Sequence, residues 1–116
     1  MELVALLSFG KGTWGQVSGL ISREQWDKII LVGDDFVKQR FEAPNAEFVT
    51  VNFNQPITIL IEELTSKLKP KIRGTEVALS IASGEGKEHM ALISSLLKIP
   101  VGIKLVVLTT EGVIFL

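Results

Sequence analysis

The sequence predicts an α/β fold, a Rossmann-like, doubly wound and mostly parallel sheet in three layers, and three observations carry that prediction. Short continuous apolar runs alternate with stretches of helical spacing, the pattern of buried parallel strands joined by crossover helices. Two of the runs end in glycine-rich turns, "FGKGTWGQ" and "SGEGKEHM", that lead straight into helices. The apolar content is 47% of 116 residues, with a mean hydropathy of +0.37. That surplus suits a sheet covered on both faces, or an apolar surface reserved for another subunit.

The first strand is read at Leu3 to Ser8, a continuous apolar run ended by glycines, and the second at Lys28 to Gly33. Glu47 to Phe53 is β-branched and aromatic, Glu76 to Ala82 is similar, and Ile103 to Leu108 makes the fifth strand. Glu111 and Gly112 separate two apolar runs, a hairpin signal that adds an antiparallel sixth strand over Val113 to Leu116. Between the strands, Pro56 to Lys69 is the clearest helix, with Ile57, Leu60, Ile61, Leu64 and Leu68 on one face. Asn54 is expected to cap it, and Pro56 suits its first turn. Gly86 to Lys98 carries two apolar stripes, Met90, Ile93 and Leu97 beside Leu92 and Leu96, and ends before Pro100. Met90 is expected in the core. A shorter, glycine-containing helix is expected over Trp14 to Ser22, and one or two helical turns over Asp34 to Phe41. Glu62, Glu63 and Lys67 read as a solvated helix face.

Length allows one domain with one core, expected to stand without an attached effector. The amino terminus lacks the basic start and cleavage site of a secretory signal, and no apolar run is long enough to span a bilayer, so a cytoplasmic location is expected. The absence of cysteine removes disulfides, thiolate metal sites and cysteine nucleophiles, and one histidine rules out a histidine-rich metal site. No metal or cofactor is expected. A net charge of −1 provides no basic field for long nucleic acid, so any phosphate must be bound locally.

In open α/β sheets ligands gather beyond the carboxyl ends of the strands, where strand order reverses. With the order 3-2-1-4-5 and the hairpin strand outermost, the loops after the first and fourth strands face one crevice. Each is glycine-rich and holds a lysine, Lys11 and Lys87. Glycines let the backbone approach a ligand, and helix amino termini offer free N–H groups to anions, so the pair suits a phosphate. Gly10, Gly12 and Gly15 have the G-x-G-x-x-G spacing of a dinucleotide fingerprint, with Asp34 and Asp35 available for a ribose hydroxyl. Against that stand the bulk of Trp14 and the absence of a substrate domain. A Walker motif is excluded because Gln16 stands where lysine is required.

Nearly the whole chain, through "LLSFGKGTWGQVSGLI", "DKIILVGDD", "VNFNQP" and "GTEVALSIASGEGKEHMALISSLL", resembles the CRISPR-associated Rossmann fold (CARF) domains, which sense cyclic oligoadenylates in antiviral signalling. Members commonly carry serine or threonine, two glycines, a variable residue and a lysine or arginine after the fourth strand. Ser83, Gly84 and Lys87 match, and Met90 matches the family's early helical methionine if shifted by one place. Glu85 replaces the second glycine and Gly86 the usual threonine. The resemblance implies a homodimer that binds a ring of four or six adenylates across its two-fold axis. Lys11 and Lys87 then contact phosphates, the amides of Gly10, Gly12, Gly84 and Gly86 add donors, and Ser8, Thr13 and Ser83 line the site. If the ring is cleaved, a ribose 2′-hydroxyl attacks the adjacent phosphate without a metal. Lys87 and Lys11 stabilise the charge, Ser8 or Thr13 orients the hydroxyl, and His89 or Glu85 serves as acid or base.

Plainer readings stand beside these. Lys11 and Lys87 also read as ordinary loop lysines, His89 as a solvent-facing residue of a first turn, Ser8 as a strand-end serine bonded to backbone, Trp14 as packing rather than an adenine platform, and Asp34 as a helix cap. Three functions follow: a cyclic-oligoadenylate sensor or ring nuclease, a nicotinamide-dinucleotide-binding regulatory module, and a phosphate-free interaction subunit.

Overall fold

Apolar side chains on both faces of the first strand leave it one place in a sheet, the centre, and the computed structural model, which describes residues 1–8 and 13–116, puts it there. Strands β1 (Glu2–Leu6), β2 (Lys28–Gly33), β3 (Glu47–Thr50), β4 (Glu76–Ser80), β5 (Gly102–Thr109) and β6 (Gly112–Phe115) form one sheet in the order β3-β2-β1-β4-β5-β6. All pairings are parallel except the β5–β6 hairpin. Gly112 takes φ +111° in the hairpin turn, a conformation open to glycine at little cost.

Side chains alternate across the sheet and build two apolar layers. Val4, Leu6, Ile30, Val32, Val77 and Leu79 point to one side. There they meet α3 (Ile57–Leu68), through Leu60, Leu64 and Leu68, and α4 (Gly86–Lys98), through Leu92 and Leu96. Leu3, Ala5, Leu7, Leu31 and Ala78 point to the other side. They meet α1 (Trp14–Arg23) through Val17 and Leu20, and α2 (Asp35–Arg40) through Val37. The change of helix layer at the β1/β4 boundary is what one crossover hand demands when strand order reverses. At the amino-terminal end of the sheet the buried Glu2 carboxylate accepts the amides of Arg73 and Gly74, at 2.6 to 3.1 Å, and ties the turn before β4 to β1.

Two expectations need correction. Asn54 does not cap α3. The cap position is Pro56, and Asn54 instead donates its own amide to Asn52 Oδ1 in a turn that ends the extended segment before Phe53. Met90 is not core, being 62% exposed. Of the two stripes on α4, the sheet buries Ala91, Leu92, Ser95 and Leu96, which turns Met90 and Leu97 outward. No helix among the described residues is long and apolar enough to cross a membrane.

Leu79, fully buried near the carboxyl end of β4, sits where helix layer and sheet meet. Leu79→Ala is expected to cost about 2–5 kcal/mol through lost burial and a residual cavity, read as a lower urea midpoint with an unchanged slope.

Candidate functional site

Because β1 and β4 are neighbours and strand order reverses between them, their following loops start side by side at the carboxyl end of the sheet. They are also bonded to each other. The Ser8 amide donates to Ser83 Oγ at 2.9 Å, both residues being buried, and Ser8 Oγ donates to Glu88 Oε2 at 3.1 Å. The Ser8 carbonyl accepts Trp14 Nε1 at 2.8 Å. Every polar group of Ser8 is therefore engaged, although its hydroxyl binds the Glu88 side chain rather than the backbone that the plainer reading expected.

The turn after β4 depends on Gly84. Its φ is +100°, and a β-carbon there would lie 2.5 Å from Leu6 Cδ2 and 2.9 Å from Glu88 Oε1. The turn feeds α4 through a reciprocal cap: the Glu85 side chain accepts the Glu88 amide, and Glu88 Oε1 accepts the Glu85 amide at 2.8 Å. Glu85, where the resembled family has glycine, thus directs its carboxylate to its own helix. His89 Nε2 is 2.8 Å from the Ser83 carbonyl oxygen, which holds the ring against the turn. The Lys87 ammonium donates to the carbonyls of Phe53, at 3.0 Å, and Gln55, at 2.6 Å, binding the first turn of α4 to the entrance of α3. An ammonium has three protons, so one remains for a ligand oxygen. Gly86 is exposed, and among the described residues a β-carbon there would meet nothing within 4 Å.

Among the residues expected at the site, the structure brings together Ser8, Trp14, Ser83, Gly84, Glu85, Gly86, Lys87 and His89, while Thr13 directly precedes α1. Gly10, Lys11 and Gly12 lie outside the described residues. Trp14 is half-buried, with its ring edge-on to Phe41 at 6.0 Å. Glu88 was not anticipated, although it touches both loops. The signal for it was present in the Glu85-x-x-Glu88 spacing of a capping box; only its reach to Ser8, 80 positions away, needed the fold.

One strand further along, a hollow of about 540 Å³ lies at the ends of β2 and β3, lined by Asp34, Asp35, Asn52, Glu63 and Lys67 among others. Three carboxylates against one lysine make it a poor place for a phosphate. Asp34 Oδ1 accepts the Val37 amide at 2.9 Å and caps α2. Gly15 is exposed and, among the described residues, has nothing within 4 Å of a β-carbon, so it does not serve there the close helix–strand packing for which the dinucleotide fingerprint uses its third glycine.

The Lys67 ammonium, 2.8 Å from Glu63 Oε2, holds the Glu63 carboxyl below the ordinary carboxylate range, with Gln55 contributing. Comparison of the chain with protein-family models and with curated proteins finds no match.

Two outcomes test these contacts. Gly84→Ala is expected to lower stability by about 1–3 kcal/mol, because the residue must hold a positive φ against Leu6; differential scanning calorimetry reads it. Glu63, with its folded pKa depressed, stabilises the protein fully above the unfolded glutamate value of about 4.3 and loses that contribution as pH falls through its folded value. Lys67→Met is therefore expected to cost a few tenths of a kcal/mol more at pH 7 than at pH 3, measured by urea titration at both.

Proposed function

We propose that this protein binds a cyclic oligoadenylate at the carboxyl ends of β1 and β4, the ring being shared by two copies of the chain. The observation that carries the reading is the Ser8–Ser83 hydrogen bond at the strand-order reversal. It joins the two glycine-bearing loops at the position where open α/β sheets take their ligands. The resemblance to CARF domains, carried by Ser83, Gly84 and Lys87, narrows the ligand from any phosphate to a cyclic adenylate. The exposed Gly86 backbone and the remaining proton of Lys87, at the amino terminus of a 13-residue helix, provide donors suited to a phosphodiester.

The polar groups nominated for catalysis favour binding over cleavage. Ser8 Oγ is committed to Glu88, Glu85 to the α4 cap, and His89 to the Ser83 carbonyl. Ring opening by a 2′-hydroxyl would draw chiefly on positioning and on the charge of Lys87. The dinucleotide reading is the weaker one, since Asp34 is spent as a cap and no described residue packs closely against Gly15.

Titration calorimetry with cyclic tetra-adenylate and cyclic hexa-adenylate is expected to show binding of one ring, with Lys87→Ala weakening it about tenfold or more, the loss of one charge-assisted contact. NAD is expected to give no heat. Binding of NAD with neither ring bound would overturn the reading. Linear product formed in the presence of EDTA would identify a ring nuclease rather than a sensor.

A further inference from the structure

We infer that the β1/β4 site selects singly charged phosphodiesters and rejects phosphate monoesters, the selecting groups being the carboxylates of Glu85 and Glu88. The inference rests on the site of the proposed function and adds the charge that its ligand must carry, a condition met by a ring, which has no phosphate end.

Charge at the entrance of α4 shows no excess of cations. From Ser83 to Met90 the chain carries Glu85, Lys87 and Glu88, two carboxylates against one ammonium. Lys11, which lies outside the described residues, brings the two loops together only to balance. The ammonium is also largely committed, because Lys87 Nζ donates to the Phe53 carbonyl at 3.0 Å and the Gln55 carbonyl at 2.6 Å, leaving one proton. The remaining basic side chain of the turn, His89, has Nε2 on the Ser83 carbonyl.

Both carboxylates are fixed where a ligand of the turn meets them. Glu88 Oε1 accepts the Glu85 amide at 2.8 Å and Oε2 accepts the Ser8 hydroxyl at 3.1 Å, while the Glu85 side chain accepts the Glu88 amide. A β-carbon on Gly84 would lie 2.9 Å from Glu88 Oε1, so this half-buried carboxylate stands directly against the glycine of the turn. A phosphate resting on that turn is within the roughly 8 Å over which salt leaves charges unscreened.

The two kinds of phosphate fare differently there. A diester carries one charge spread over two oxygens, which the last proton of Lys87 and backbone N–H groups can meet. A monoester carries about −1.5 to −2 at pH 7, and its surplus charge is opposed by both carboxylates with no second cation of the turn to offset them. Because the cap turns each carboxylate onto a backbone N–H, a diester avoids direct oxygen–oxygen contact, yet the field on a second charge persists. Selectivity then comes from an unfavourable charge set against the wrong ligand. Glu85, standing where the resembled family has glycine, makes the device particular to this chain. Free phosphate, nucleoside mono-, di- and triphosphates and linear oligoadenylates with a terminal phosphate are the ligands it excludes.

The test is titration of the isotope-labelled chain, followed by nuclear magnetic resonance at the amides of Gly84 and Gly86, with 3′,5′-cyclic adenylate as the diester and 5′-adenylate as the monoester of the same base. Wild type at neutral pH is expected to bind the cyclic diester about tenfold more tightly. Glu85→Gln and Glu88→Gln each keep an acceptor for the cap and remove its charge. Each is expected to strengthen the monoester more than the diester and to narrow the gap about threefold, with the fold verified by a thermal melt. A wild type that binds the monoester as tightly as the diester overturns the inference. So do glutamine variants that move both ligands equally, the mark of a merely structural role, and so does the absence of any shift with either ligand. A diester preference that both variants narrow, in a protein that does not bind cyclic tetra-adenylate, upholds the inference and removes only the proposed ring.

Discussion

The parallel pairing of β1 with β4 is the constraint on which the rest of this structure depends. Strand β1 is buried along its whole length, so it must sit at the centre of the sheet and be covered on both sides. Its neighbours β2 and β4 then lead the chain outward in opposite directions, and crossovers of one hand place α1 and α2 on one face and α3 and α4 on the other. The same reversal brings two loops together that are 75 positions apart between Ser8 and Ser83. The meeting of these two loops is a consequence of topology before any side chain has a role.

Polar residues around the crevice hold the loops in shape. Glu85 and Glu88 satisfy amides of the first turn of α4, Lys87 satisfies carbonyls at the entrance of α3, and His89 is hydrogen-bonded to the turn itself. Groups so engaged hold the turn and the first turn of α4 in one arrangement, so that any ligand bound there under the proposed reading meets it at little further entropic cost. The same engagement draws charge away from the opening. The two carboxylates that would repel a phosphate are each turned onto a backbone N–H.

Apolar residues are distributed with comparable economy. The core uses both faces of β1, β2 and β4, yet exposed Met90, Leu97, Leu105 and Leu116 remain on the α3/α4 side. Exposed leucines taken singly need no explanation.

Local pattern was enough to determine the strands, the four helices, the terminal hairpin and the layer architecture, because period and glycine placement are properties of a few consecutive residues. It also marked Gly84, whose turn between strand and helix demands a backbone that side chains resist. Other features were decided only by tertiary structure. Which stripe of α4 faces the sheet, and so that Met90 is outside, depends on the competition between two nearly equal apolar faces for one surface. That Asn52 rather than Asn54 organises the turn before α3 depends on where β3 stops pairing with β2. That Glu88 reaches Ser8 depends on a contact across 80 positions. Sequence periodicity reports which faces a segment can bury, whereas burial itself is settled by what the remainder of the chain brings against each face.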